Sequence, residues 1–305
     1  MDIINKFNIK KLKSMEFENI PLLAILGPTA SGKTALSLKI ASELPVEIIS
    51  ADSMQFYKEM NIGVAKPSKE EQKAVEHHLI DIRSIHEKVD IFQFVELAEK
   101  AIKKIKSKKH IPLLVGGSGL YIRSLFYGLD PLPANQTLRM ELDEKFDSEK
   151  GFEQLKAIMS IKDPEALKRW SKHRRKLIRA FEVYTLTGKS ITELQKTWKG
   201  TLCFPVQAWR LCMEREILRE RIGKRTDEML EKGWIEETEE LLKIGFLESP
   251  TAKQAIGYKI IADYLQGNIN KDEMRNKIVN STRQYARRQD TWFRNQHPEA
   301  ISVEI

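Results

Sequence analysis

Short uninterrupted apolar runs alternate with amphipathic stretches through the first third of the chain. Leu22–Leu26 is wholly apolar and stops at Gly27, the pattern of a buried strand. Over Lys33–Leu44, Leu36, Ile40 and Leu44 recur every fourth residue, which predicts a helix closed by Pro45. Val46–Ser50 reads as a second buried strand running into Ala51–Asp52. Phe92–Lys106 places Val95, Ala98, Ile102 and Ile105 on one helical face, and Ile111–Val115 is a third buried strand ending in Gly116–Gly117. Buried strands alternating with helices predict an α/β fold with a parallel sheet flanked by helices.

The pattern changes at Pro131–Pro133. From there to about Leu202 no strand-like run occurs. Charged helical segments take over at Leu138–Phe146, Gly151–Met159, Pro164–Gly188 and Thr192–Thr197. Pro205–Met213 reads as a strand returning to the sheet, followed by helices over Glu214–Lys232, Ile235–Lys243 and Lys271–Phe293. The expected organisation is a loosely held extension at 1–20, a core domain from 21–130 and 204–305, and an all-helical insertion domain at 131–203. Met15 could serve as an alternative start.

Composition narrows the class. The chain has 305 residues and a formal net charge of +8, which favours a polyanionic partner. No run approaches the roughly 18 apolar residues of a membrane span, so no membrane partner is expected. Residues 1–20 lack the apolar centre of a secretory signal. Cys203 and Cys212 share no metal-ligand spacing and make no disulfide framework, which fits a reducing cytoplasm. A monomer is the default expectation.

Between the first strand and helix stands Gly27-Pro28-Thr29-Ala30-Ser31-Gly32-Lys33-Thr34. Two glycines flanking four residues, then Lys and Thr, form a P-loop pattern. Its backbone N–H groups and the following helix N-terminus cradle phosphate, Lys33 neutralises charge, and Thr34 offers a hydroxyl to Mg²⁺. The fold expected is therefore P-loop NTPase-like. Asp52 ends the second strand, where open parallel sheets bind ligands. It could help hold Mg²⁺, act as a general base, or cap the following segment. The third strand ends in Gly116-Gly117-Ser118-Gly119 without a carboxylate; these glycines either admit something bulky or simply turn the chain. A guanine-reading Asn-Lys-x-Asp and the protein-kinase signatures are both absent from the sequence.

Two segments are strongly basic. Lys168–Arg179 holds seven Lys or Arg and no acid, including Arg174, Arg175 and Arg179, with Trp170 among them. Arg283, Arg287 and Arg294 recur at helical spacings beside Arg288, Tyr285 and Trp292. A charge run is usually solvated surface, and aromatics at helical spacing are usually core. Two basic helices accompanying a phosphate loop nevertheless favour RNA, whose single-stranded loops are read by cationic and stacking groups.

Six ordered motifs carry a resemblance from about Leu22 to Arg294. They are the P-loop, Ser50-Ala51-Asp52-Ser53-Met54-Gln55-Phe56-Tyr57, Ile62-Gly63-Val64-Ala65-Lys66-Pro67, His77-His78-Leu79-Ile80-Asp81, Val115-Gly116-Gly117-Ser118-Gly119-Leu120-Tyr121, and Thr282-Arg283-Gln284-Tyr285-Ala286-Arg287-Arg288-Gln289. In this order the chain resembles the tRNA dimethylallyltransferases, also called tRNA isopentenyltransferases. Ser118 stands where that family usually has threonine, and residues 1–20 have no counterpart in it.

The resemblance implies transfer of a dimethylallyl group from dimethylallyl diphosphate, with Mg²⁺. The acceptor implied is the exocyclic amine of the adenosine 3′-adjacent to the anticodon, in tRNAs reading codons that begin with U. It implies that the P-loop holds the diphosphate and the helical insertion grips the anticodon stem-loop. By motif position, Asp52 resembles the base on the acceptor amine. Thr29 resembles a donor near the departing oxygen, and Arg225 the arginine that grips diphosphate. Ser53, Met54 and Gln55 fall in the segment that meets the flipped adenine and its neighbours. Arg175 and Arg179 match tRNA-contacting arginines, with Ser118 and Arg139 as weaker matches; Arg174, Arg283 and Arg287 join them as basic tRNA-facing residues. The principal rival is a P-loop small-molecule or nucleoside kinase, which leaves the basic insertion without a task. A non-catalytic RNA-binding protein is the second.

Overall fold

The computed structural model describes residues 6–7, 9–195, 201–297 and 299–305. The described chain falls into two compact units, Tyr127–Cys203 and the remainder.

In the larger unit the chain runs through α1 (Ile9–Lys13), β1 (Leu22–Leu26), α2 (Lys33–Ala41), β2 (Val46–Ala51), α3 (Lys69–Ala74), β3 (His77–His78), α4 (Ile91–Ser107), β4 (Ile111–Gly116) and α5 (Gly119–Tyr127). The smaller unit holds α6 (Gln136–Lys145), α7 (Glu149–Lys162), α8 (Pro164–Trp170), α9 (Arg174–Thr187) and α10 (Ile191–Leu194). The larger unit then resumes with β5 (Val206–Cys212), α11 (Arg215–Glu231), α12 (Trp234–Lys243), α13 (Tyr258–Leu265), α14 (Lys271–Gln296) and β6 (Ile301–Glu304).

Among the described residues the sheet has six strands in the order β3-β2-β4-β1-β5-β6, every pair parallel. β1 and β2 are buried at every position, which is why β1 is apolar without alternation and β2 is apolar except at Glu47 and Ser50. From β1 the chain crosses to β2, returns through β4, and places β5 and β6 on the other side. The winding therefore reverses around β1, and a crevice opens at the carboxyl ends of β1 and β4.

Two large cores and a small cluster of Ile222, Val279 and Ala286 lie in this unit among the described residues. One lines the sheet and includes Leu23, Ile25, Ile48, Leu113 and Trp209. The other gathers Tyr57, Trp234, Phe246, Tyr258 and Ile278. The first core corrects the expectation of a loose N-terminal extension. Phe7, Ile9 and Leu12 are all buried, and the Phe7 ring meets Trp209 edge-on at 5.0 Å. Burying three such side chains offsets the cost of ordering one short helix. Residues 1–5 and 8 lie outside the described residues.

The smaller unit has its own core of Phe146, Leu155, Met159, Leu177 and Val183. Here the expected continuous helix Pro164–Gly188 is two helices, broken between Trp170 and Arg174. Asp163 caps the first, accepting from the Ala166 N–H at 3.0 Å with Pro164 behind it. Gly188, at φ +70°, ends the second. Of the expected Thr192–Thr197 helix, the described part is α10, and residues 196–197 lie outside the described residues. β6 was not expected; four residues with one buried position give no readable pattern.

Candidate active site

The Gly27–Thr34 loop leaves β1 and delivers α2 at Lys33, as its sequence predicts. Gly32 takes φ +85° at the helix N-cap, and Ala30 takes φ +63° although it is not a glycine. A non-glycine residue held left-handed costs about 1–3 kcal/mol, and such conformations cluster where backbone must face a ligand. The Lys33 ammonium donates to the carbonyls of Gly27 at 2.9 Å and Pro28 at 2.7 Å. Burial, then the Arg225 charge, push its pKa down to about 7 against the pull of Asp52.

Asp52 follows β2 and turns back on its own chain. Its Oδ1 accepts the Met54 N–H at 3.0 Å, so the capping task foreseen for it exists and fixes its direction. Burial raises its pKa, against the smaller lowering effects of the Met54 N–H, Lys33 and Arg225. Arg225, from α11, donates to Thr29 Oγ1 at 3.2 Å, bringing the two residues together across 196 positions of sequence. The Thr29 N–H donates to Gln289 Oε1 at 2.8 Å, and Gln289 Nε2 donates to the Gly117 carbonyl at 2.9 Å. Gln289, buried on α14, thus ties the P-loop to the end of β4.

That contact settles what Gly116 and Gly117 admit. A Cβ on Gly116 would lie 2.3 Å from the Ala51 carbonyl oxygen, and one on Gly117 would lie 2.2 Å from Gln289 Nε2. The bulky neighbour is the protein's own chain.

A cavity of about 340 Å³ opens on this cluster. Thr29, Ala30 and Arg225 line it together with Asp52 and Ser53. Much of the remaining wall is apolar, from Met54, Val64, Ile222, Met229, Trp234 and Ile256. Thr282, Tyr285 and Arg288 of α14 also line it. A smaller cavity of about 50 Å³ reaches Lys33, Thr34, Ser50, Asp52 and Gln55.

Other predicted residues take different positions. The Ser118 hydroxyl accepts the Ser53 N–H at 3.2 Å. Gln55 spends its amide inside the chain, accepting from Ser50 Oγ at 2.8 Å and donating to the Val64 and Ala65 carbonyls. In the helical unit, Arg139 and Arg179 both clamp the buried Glu182, at 2.6 and 2.8 Å. Arg174 donates to the Asp147 carbonyl, pairs with Glu149 at 3.1 Å and lies over the Phe152 ring. Arg175 is exposed and makes no ion pair or hydrogen bond among the described residues. Arg283 and Arg287 are exposed on α14, the former 3.5 Å from the Arg219 carbonyl. Gln289, Trp234, Met229 and Ile222 were not foreseen as site residues. Thr282, Tyr285 and Gln289 carried one signal: spacings of three, four and seven put them on one face of a helix.

A parallel sheet with a P-loop after its first strand, an aspartate after its second and a half-apolar cavity between them defines a phosphate-binding α/β protein of the P-loop class. A model of the IPP transferase family matches residues 55–296, and the chain belongs to that family. It is similar to a tRNA dimethylallyltransferase of Carboxydothermus hydrogenoformans, with 44% identity over 277 residues, covering 90% of this chain and 88% of that protein. Among solved structures it resembles the full-length tRNA isopentenylpyrophosphate transferase of Bacillus halodurans. The TM-score is 0.68 and the identity 37%, over 93% of this chain and 89% of that one. A eukaryotic dimethylallyltransferase acting on tRNA matches with a TM-score of 0.76 and 25% identity, over 93% of this chain and 73% of that one.

Proposed function

We propose that this protein transfers a dimethylallyl group from dimethylallyl diphosphate to the exocyclic amine of an adenosine in tRNA, the one 3′-adjacent to the anticodon. One observation carries the reading: a single cavity is lined by phosphate-loop residues, Arg225 and Asp52 together with an apolar wall. A donor with a charged head and a greasy tail needs both kinds of lining, and an incoming amine needs a base beside them.

The residues divide the work. The adenine nitrogen attacks the allylic carbon as the carbon–oxygen bond to diphosphate breaks. The amine proton passes to Asp52, which the Met54 N–H holds in place. Negative charge grows on the departing diphosphate, where P-loop N–H groups and the Thr29–Arg225 pair can receive it, with Lys33 turning to it from the Gly27 and Pro28 carbonyls. The apolar wall keeps water from the allylic carbon. Mg²⁺ fits the oxygen atoms that Thr34, Ser50 and Asp52 present around the smaller cavity, which Lys33 and His77 also line. Thr34 would hold the ion, which supplies charge neutralisation on the diphosphate when bound. The exposed Arg175, Arg283 and Arg287 are suited to tRNA phosphates, and the helical unit to the anticodon stem-loop.

The test is transfer itself. The protein is incubated with Mg²⁺, dimethylallyl diphosphate and unmodified tRNAs reading codons that begin with U, and the nucleosides are digested and weighed. We expect one adenosine heavier by a dimethylallyl group, mapping beside the anticodon. An unmodified tRNA that demonstrably binds the protein, with a working relative in parallel, would overturn the reading in favour of a kinase.

A further inference from the structure

Trp234 occupies an unusual place for a residue that is only 2% exposed: it lines the cavity while wedged between two glycines. A Cβ on Gly63 would lie 2.0 Å from Trp234 Nε1, and one on Gly257 would lie 2.3 Å from its Cη2. Tyr258 meets the indole edge-on at 5.7 Å. The ring is thus packed against Gly63, Gly257 and Tyr258.

The Gly63 side of the wedge is unusually well fixed. Glu237, one helical turn beyond Trp234 on α12, accepts the N–H groups of Asn61 at 2.8 Å, Ile62 at 2.8 Å and Gly63 at 3.1 Å. It also accepts the Tyr258 hydroxyl at 2.7 Å. The middle of the loop is held by Gln55 through the Val64 and Ala65 carbonyls, and Ala65 sits at φ +46°. At its far end the buried Lys66 ammonium donates to the Tyr57 carbonyl at 2.8 Å and pairs with Asp81 at 2.5 Å. Three side chains thus pin a segment that brings only Gly63 and Val64 to the cavity wall. Simple core packing asks for no such number of polar ties; a wall that must not yield does.

We propose that Trp234 is the specificity-determining residue that limits the donor to one isoprene unit, and that Glu237 is a positioning residue that keeps the Gly63 loop closed against it. This rests on the transferase reading. A longer tail finds its path stopped by the indole, and the pinned loop prevents the cavity from lengthening to admit it. Hydrophobic pockets discriminate by about tenfold or more for each methylene they exclude, so the ratio between donors reports the floor directly.

The experiment compares dimethylallyl diphosphate with geranyl diphosphate, which is longer by one isoprene unit, in the wild type, Trp234→Phe, Trp234→Leu, Glu237→Ala and Glu237→Gln. Donor binding is measured calorimetrically without tRNA, and kcat/KM with tRNA. We expect the wild type to prefer the short donor strongly. Both Trp234 variants should move the ratio toward geranyl by at least about tenfold. Glu237→Ala should move it the same way, and so should Glu237→Gln, because four donors converge on Glu237 and an amide keeps only one acceptor oxygen. Equal wild-type binding of the two donors would overturn the proposal even if every variant failed to fold. So would variants that weaken both donors in parallel, the mark of a merely structural residue. Intact discrimination in binding with no transfer to tRNA would instead count against the transferase reading and leave the floor assigned to Trp234.

Discussion

Asp52 shows how one carboxylate can be placed by the chain and remain useful to a substrate. Its Oδ1 is tied to the Met54 N–H, while burial and the charges of Lys33 and Arg225 act on its proton affinity in opposite senses. An asparagine can keep the turn, because its amide oxygen accepts the same N–H, but it cannot take up a proton. Asp52→Asn is therefore expected to fold and bind donor normally while slowing transfer by about a hundredfold or more. Single-turnover rates beside calorimetric donor binding check this, and near-normal turnover would remove the base role.

At the scale of elements, the end of β2 opposite Asp52 is held by one buried carboxylate. Glu47, near the start of β2, accepts from His78 of β3 at 2.7 Å, from Lys108 after α4 at 3.0 Å, and from His110 before β4 at 2.7 Å. Burial alone would raise its pKa, but the bonds from His78, Lys108 and His110 overcome that and bring it from 4.5 down to about 2. A carboxylate with a depressed folded pKa contributes stability above its unfolded value and loses it as pH falls through the folded one. Urea unfolding of the wild type should therefore weaken between pH 4.5 and 2. Glu47→Gln should flatten that limb and lower stability at neutral pH, because Lys108 loses a buried partner. An unchanged acid limb would show that other carboxylates dominate it.

On the scale of the whole molecule, an excess charge of +8 says that a polyanion is welcome but not which cations meet it. The structure separates them. Arg179 and Arg139 are committed to Glu182, whereas Arg175 is exposed. Arg175→Ala should weaken tRNA binding and reduce its salt slope by about 1 without changing the melting curve. Arg179→Ala should instead lower the melting temperature, since Glu182 is fully buried. Titrations at several salt concentrations, with thermal melts alongside, distinguish the two; equal salt slopes for both variants would contradict this division. Among the described residues no helix is long and apolar enough to cross a membrane.

The sequence by itself determined the strands β1, β2 and β4, the P-loop between β1 and α2, the aspartate at the end of β2 and the strand-free helical stretch. These are written in local terms: apolar runs, four-residue spacings, glycines at fixed offsets. Only the tertiary structure decided that Gln289 holds Thr29, that Arg225 meets Thr29, that Glu182 claims two arginines expected to contact tRNA, and that Phe7 seals Trp209. It also found the apolar wall, whose Ile222, Met229 and Trp234 come from α11 and α12 and whose Val64 comes from a loop. The physical reason is the same throughout. Local periodicity fixes which face of an element is buried, but the partner that covers it is brought from afar by folding, and a side chain's neighbours at such separations leave no mark in its own stretch of chain.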